Sequence, residues 1–450
     1  MKILIKNASI ITMNKNREII HEGSILIEND KIEEVKKGNI KESFDLAIDA
    51  SGKLVLPGFI NGHQHISQLL LRGITYDIPF PNWDTNYVFK VGSEASKEDY
   101  YMASILACIE MLKSGTTTFI ENHFWHKDPE SIEAIAKAIH EFGIKGILAY
   151  GFIDQGVPED LIVELRKSIK EFKKFYSKWN LADNGRIRVW LGPGGFGMCS
   201  KELLEEIASV SKELKANIQI HSCGTLSSVE NTLWKYGKRE LEFLKNLGIL
   251  GPRTNIVHGI WLNLKDIELL KESKTSVTHC PISNMLLGFG IAPIPLLMKY
   301  GIKLLLGTDG LGSYTQDMYQ VIRTTALLHK LSSLDPTSIS ALNVLEMATI
   351  GAAKAIGMDK EIGSIEPNKK ADIQIVNPNK ARYIPFGNAI SMLVYCGYGS
   401  DVETVIVDGK VLVKDGELVE KNELEIIPKI KESINELWKK CEFIKSIKSE

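Results

Sequence analysis

Six of the ten histidines in this 450-residue chain fall at the carboxyl ends of apolar, strand-like runs. His63 and His65 close LPGFINGHQH, His123 closes TTTFIENH, and His221 closes NIQIHS. His258 lies in TNIVHGI, His279 in TSVTHCP, and Asp309 ends IKLLLGTDG. In His63-Gln64-His65 the two-residue period of an extended strand turns both imidazoles to one side, so both can bind one ion. A third imidazole and a carboxylate from facing strands would complete an N₃O set of the kind zinc or ferrous iron accepts, with a place left for water. A histidine taken singly is more often a core or surface residue; the joint placement carries the reading.

Those side chains need a frame that brings several strand ends to one rim. Between the runs lie amphipathic helices such as SIEAIAKAIHEF, with Ile132, Ile135, Ala136 and Ile139 on one face, and KELLEEIASVSKEL. Ser96 and Asp99 form a capping box for the helix that runs through CIEMLKSG. The strand candidates span 56–65, 116–123, 143–152, 186–194, 217–222, 254–260, 275–281 and 302–310. Near-continuous apolar strands alternating with helices predict an α/β chain whose eight units close into a (β/α)₈ TIM barrel over 56–361. Barrel enzymes carry their sites at the carboxyl ends of the strands, where these residues fall. An open, doubly wound sheet is the alternative, disfavoured because no G-x-G-x-x-G follows the first strand. Residues 1–55 and 362–421 read as short strands with Asn, Asp and Gly turns, among them a hairpin at Asp408-Gly409. These β-rich ends can pair with one another in space, and residues 422–450 read as a solvated amphipathic helix.

Charge and composition narrow the partners. With 54 Lys+Arg against 56 Asp+Glu, the chain offers no basic face for nucleic acid. It has no apolar run of about 18 residues, so no membrane span is expected. Lys6 and Asn7 interrupt the opening stretch before a signal-peptide core can form, which points to the cytoplasm. The six cysteines include no C-x-x-C pair, which argues against both a disulfide framework and a thiolate zinc cluster.

Taken together, PGFINGHQH, EMLKSGTTTF, IQIHS, VHGIWL, THCPISNM with the following GIAPIPLL, LGTDG with Asp317 downstream, and DVETVIVDGKVL resemble the amidohydrolase superfamily. The likeness is greatest to its branch of cytosine, guanine and S-adenosylhomocysteine deaminases and triazine hydrolases, and it covers nearly the whole chain. It implies a barrel joined to a small β-sandwich built from both chain ends, and a homodimer or larger homo-oligomer. It also implies one divalent metal ion per subunit, zinc with ferrous iron as the alternative, held by His63, His65, His221 and Asp309. The resemblance further assigns His258 to the attacking water or the developing oxyanion, and makes Asp309 a base as well as a ligand. The activity implied is hydrolysis of a C–N bond in a small, cyclic substrate, foremost the deamination of an aminated ring. Displacement of halide, thiolate or an activated amide is the alternative, and a non-catalytic metal-bound barrel is the third reading.

Two departures bear on that activity. Family deaminases carry an H-x-x-E motif whose glutamate shuttles protons to the leaving amine, whereas this chain reads His221-Ser222-Cys223-Gly224. The P-H-x-P-like segment of nucleoside-handling relatives is replaced by Gly192-Pro193-Gly194-Gly195-Phe196-Gly197. A replacement shuttle is expected from His123, Glu110 or Glu121, with Asp309 as a further route. Only one of Glu121 and His123 is expected to face the barrel interior, and His123, nearer the strand end, is the stronger candidate. Glu110 is a candidate substrate contact, though helix glutamates are commonly solvated. His279 is expected beside substrate or behind the ligands, and Trp83, Phe124 and Trp125 are expected to wall a pocket for a planar ring. Cys223 is set aside as a nucleophile, because a metal-bound His221 cannot serve as its base.

Overall fold

In the computed structural model, which describes residues 1–80, 82–125, 130–310 and 314–443, eight parallel strands stand side by side in chain order. They are β1 (Phe59–Gln64), β2 (Thr116–His123), β3 (Lys145–Phe152), β4 (Ile187–Pro193), β5 (Ile218–Ser222), β6 (Thr254–His258), β7 (Ser276–His279) and β8 (Leu304–Leu306). The last strand returns to the first, where Asp309 N donates to the His63 carbonyl at 3.0 Å. All residues of β2 and β3 are buried, as in a sheet covered on both faces. The helices used below are α1 (Lys97–Lys113), α2 (Glu130–Phe142), α3 (Leu226–Tyr236), α4 (Glu240–Asn246), α5 (Pro281–Leu286), α6 (Met318–Ser333) and α7 (Glu423–Lys440). The expected capping box opens α1: Ser96 Oγ accepts from Asp99 N, and the Asp99 carboxylate accepts from Ser96 N.

The run expected as one strand over 56–65 is two. Leu54–Pro57 pairs with Lys2–Ile11 on one side and Ile373–Val376 on the other, in a nine-stranded sheet made from both chain ends. The chain crosses into the barrel at Gly58, where a Cβ would lie 2.1 Å from the Thr117 side chain, so only glycine passes. The end sheet has its own apolar core, including Ile3, Ile5, Ile25, Ile373 and Ile406. Asp408 and Gly409 make its hairpin turn with φ of 47° and 72°, the left-handed pair that matches strand twist.

A buried ion cluster ties the barrel to that sheet. Lys145 Nζ, at the start of β3, lies 2.6 Å from both Asp372 Oδ1 and Asp408 Oδ1, and all three side chains are 5% exposed or less. Asp408 also meets Arg186 Nε at 3.2 Å, so removing the ammonium leaves Asp372 as the buried carboxylate that loses its cation, and Lys145→Ala is expected to lower unfolding stability by about 3–5 kcal/mol. Urea titration measures this; a loss below about 1 kcal/mol would show that water replaces the ammonium.

Helix α7 is docked rather than solvated. Ile430 and Leu437 are buried, Trp438 Nε1 donates to Leu70 O at 2.6 Å, and Ser433 Oγ donates to Asp99 Oδ1 at 2.7 Å. The segment 444–450 of the expected helix lies outside the described residues. Among the described residues no helix is long and apolar enough to cross a membrane.

Candidate active site

Four side chains converge where β1, β5 and β8 open at the mouth. His65 Nε2 lies 3.3 Å from His221 Nε2, and Asp309 Oδ1 lies 3.4 Å from His63 Nε2 and 3.5 Å from His65 Nε2. Ligand atoms held about 2.0–2.1 Å from a tetrahedral ion stand about 3.3 Å apart, so this spacing fits a divalent cation. The tautomers fit too. Gln219 Nε2 donates to Gly62 O and Asn255 Oδ1, both at 2.9 Å, which turns its Oε1 to accept from His63 Nδ1 at 2.8 Å. His65 Nδ1 likewise donates to Asn122 O at 2.6 Å. Both Nε2 atoms therefore present lone pairs, and the buried His63 Nε2 has no hydrogen-bond partner among the described residues. Burial, with the fields of neighbouring imidazoles, pushes His65 down to about 3 and His221 well below the usual range, so both rings are in the neutral, ligating form. Burial alone would raise the Asp309 carboxyl, but the adjacent His63, His258 and His65 rings hold it well below the usual carboxylate range.

Outer partners of this kind fix ring orientation, and their loss typically costs about 10–100-fold in metal affinity. Gln219→Leu is therefore expected to weaken cation binding by about that factor without moving the ligands themselves. Competition with a chelator of known affinity reads it directly, and unchanged affinity would remove Gln219 from the role.

His258 stands beside the ligand set. Its Nδ1 meets Asn284 Oδ1, from α5, at 2.9 Å, and its Nε2 faces Asp309 Oδ2 at 3.9 Å. Asp309 Oδ2 also accepts from Ser283 Oγ, while Oδ1 accepts from Gly310 N at 2.7 Å. One carboxylate oxygen thus faces the imidazole ligands and the other faces His258. Both residues take left-handed backbone, with φ of 75° at His258 and 61° at Asp309, the local strain typical of functional strand ends.

The site is the floor of a cavity of about 600 Å³, bordered by His65, His221, His258 and Asp309. Its walls include Phe80, Trp83, Phe124, Trp125, Phe196 and Phe289. Trp83 and Trp125 are buried, and their indole N–H groups have no partner among the described residues, leaving two donors in an aromatic wall. The glycine segment after β4 borders the same space, and Gly195, at φ 128°, passes close to His221. Asp84, which nothing in the sequence singled out, also borders it; burial pushes its carboxyl up to about 7. Its only sequence signal is an acid directly after a wall tryptophan.

Four candidates stand elsewhere. Residues 121 and 123 are two apart on one strand, so the same period that aligns His63 with His65 puts both on one side, and the expectation that only one faces inward fails. It is Asn122 that points across the barrel, with Nδ2 3.4 Å from Gln219 O. His123 turns to the helix layer, where Nε2 meets Ser131 Oγ at 3.1 Å and the ring meets Tyr100 edge-on at 5.0 Å. Glu121 accepts from Ile66 N at 2.8 and 3.1 Å, anchoring the backbone directly after ligand His65. Glu110 forms a two-point ion pair with Arg72. His279 meets His329 of α6, Nε2 to Nε2 at 3.0 Å. None of the four borders the cavity. Gly224 does, and a Cβ there would stand 3.1 Å from the His258 ring, which leaves little space for the family's glutamate. Burial pushes the Cys223 thiol well up, which agrees with an inert cysteine.

An eight-stranded parallel barrel with a histidine- and aspartate-lined mouth, joined to a sheet from both chain ends, defines a hydrolase of the metal-dependent barrel class. Residues 54–412 match the amidohydrolase family, and the chain belongs to it. It is 37% identical to a 5'-deoxyadenosine deaminase of Methanobrevibacter smithii, over 97% of this chain and 98% of the other. It is equally 37% identical to a 5-methylthioadenosine/S-adenosylhomocysteine deaminase of Thermoanaerobacter pseudethanolicus, over 93% and 95% of the two chains. Among solved structures, a zinc-bound adenosine deaminase from Xanthomonas campestris superposes with a TM-score of 0.90 at 24% identity, covering 97% of this chain and 98% of that one. A zinc-bound atrazine chlorohydrolase from Arthrobacter aurescens gives 0.89 at 23% identity, covering 96% and 100%. The last two establish likeness of fold.

Proposed function

We propose that this chain is a metal-dependent deaminase that hydrolyses the exocyclic amino group from an aminated heterocycle, with adenine nucleosides altered at the 5' position as the leading substrate class. One observation carries the reading: three imidazoles and a carboxylate meet at ion-ligand spacing on the floor of an aromatic-walled cavity of nucleoside size. Relatives at 37% identity named as deaminases of such nucleosides support it.

His63, His65, His221 and Asp309 would hold one divalent ion, with zinc the leading identity. Such an ion lowers the pKa of bound water towards about 7 and polarises it for attack. The chain's own residues do the rest. Asp309 Oδ2, ionised and facing His258, is the oxygen placed to take the proton released on attack. With Nδ1–H given to Asn284, His258 keeps a lone pair on Nε2 that orients the attacking water. The aromatic wall sandwiches the planar ring, and the Trp83 and Trp125 N–H groups are donors for its heteroatoms or for ribose oxygens.

A second reading rests on Gly224. With no carboxylate there, the site would also suit a substrate whose leaving group departs unprotonated, such as a ring chloride. Ammonia and chloride release from 6-amino and 6-chloro purine nucleosides, measured with zinc-loaded protein, separates the two. Ammonia from 5'-deoxyadenosine or 5'-methylthioadenosine is expected. Chloride release alone would overturn deamination in favour of the second reading.

A further inference from the structure

The deaminase reading leaves one chemical gap. An amide ion is far too poor a leaving group, so the departing nitrogen must receive a proton, and Gly224 has none to give. His123, Glu110 and Glu121 face elsewhere. A different acid lies beneath the loop that follows β5. Glu240, the first residue of α4, is fully buried beneath the loop that follows His221. Its Oε2 accepts from Ser222 Oγ at 2.8 Å and from Cys223 N, while Oε1 meets Ser228 Oγ of α3. Ser228 borders the cavity, in company with Ser222, Gly224 and His258.

We propose that Glu240 is the proton reservoir that replaces the missing glutamate, and that it delivers its proton to the leaving nitrogen through the Ser228 hydroxyl. This rests on the deaminase reading above. Two donors already satisfy Oε2, so the relay uses Oε1: the Ser228 hydroxyl, which donates to that oxygen when the carboxyl is ionised, turns to accept from it when it is protonated and then donates into the cavity. Burial pushes the Glu240 carboxyl up, which favours the protonated form the relay requires. Among the described residues no cation pairs with Glu240; the adjacent Arg239 pairs with Asp266 instead.

The step balances as follows. The C–O bond forms as Asp309 takes one proton of the attacking water. The amino nitrogen takes the Ser228 proton while Ser228 takes that of Glu240. The C–N bond breaks with its electron pair leaving on ammonia, and the proton held by Asp309 returns through cavity water to Glu240. Displacement of chloride needs only the first of these transfers, because chloride leaves without a proton. Glu240 is thus a positioning residue for a proton, and its loss should be felt by one leaving group and not the other.

The test uses zinc-loaded, full-length protein with adenosine-type and 6-chloropurine nucleosides in parallel. A positioned general acid contributes about 10²–10⁴-fold, so Glu240→Gln is expected to lower the ratio of ammonia to chloride release by at least about 10²-fold at full metal content. Ser228→Ala, which leaves the buried carboxyl in place, is expected to lower the same ratio and guards against a Glu240 variant that fails to fold. Glu240→Asp should recover part of it. Equal loss of both products in the Glu240 and Ser228 variants would make the cluster merely structural and overturn the relay. An unchanged ratio would do the same while leaving the deaminase reading intact. A fall in the ratio on Asp84→Asn alone would place the acid in the cavity wall instead. Wild-type protein that releases no ammonia would overturn the deaminase reading and the relay with it.

Discussion

Asp309→Asn is expected to abolish turnover and to strip the site of most of its metal. On the proposed assignment the carboxylate has two tasks that its two oxygens divide. Oδ1 stands 3.4 and 3.5 Å from the His63 and His65 ligand nitrogens, and Oδ2 faces His258. The amide keeps the shape but loses the negative charge that partners a dication, and it has no basicity with which to accept a proton. Loss of a general base costs about 10²–10⁴-fold by itself. Loss of Lewis-acid stabilisation worth several kcal/mol adds about 10³-fold at 1.36 kcal/mol per decade. Elemental analysis beside ammonia release measures both consequences. A variant that keeps a full equivalent of metal and more than a tenth of its turnover would refute the dual assignment.

His258→Gln should separate metal binding from chemistry. His258 Nε2 is 3.9 Å from Asp309 Oδ2, and its ring is fixed by Asn284. Burial, partly offset by the Asp309 charge, pulls the ring's pKa down, so it is neutral and able to accept a hydrogen bond from water. Fixed hydrogen-bonding groups at a reacting centre contribute on the order of 10²–10³-fold, so turnover should fall by about that factor while metal content stays at wild-type level. A drop mainly in kcat rather than a rise in KM is the expected signature. Parallel loss of metal would instead make His258 a ligand, and that would favour a different split of the cluster.

What could be read in advance depended on how local the physics was. The pair His63 and His65 was legible because strand periodicity is a two-residue rule, and the capping box and the Asp408-Gly409 hairpin were legible for the same kind of reason. Periodicity also says that Glu121 and His123 share a side. It cannot say which side, because the parity that faces the barrel interior is set by the stagger between neighbouring strands. On β2 that parity selects Asn122, and it sends His123 to the helices. The strand break at Gly58 was hidden likewise: LPGFINGHQH reads as one apolar run, and only the close approach of Thr117 divides it.

The sequence by itself determined the eightfold alternation, the β-rich ends and the residue types gathered at the strand ends, since each depends on composition and periodicity within a few residues. Only the tertiary structure decided which acids border the cavity, as Asp84 does, or lie one hydroxyl away from it, as Glu240 does behind Ser228. Glu240 lies 16 residues beyond Gly224 and resembles any helix-opening glutamate in the chain, yet the fold of α3 and α4 brings it under the loop after His221. Glu110 and Glu121, which the sequence offered as candidates beside His123, are held away by Arg72 and by the Ile66 backbone. The reason is that a carboxylate's role is set by what surrounds it in three dimensions, by burial, by donors and by access to the cleft, and none of these is a function of sequence spacing.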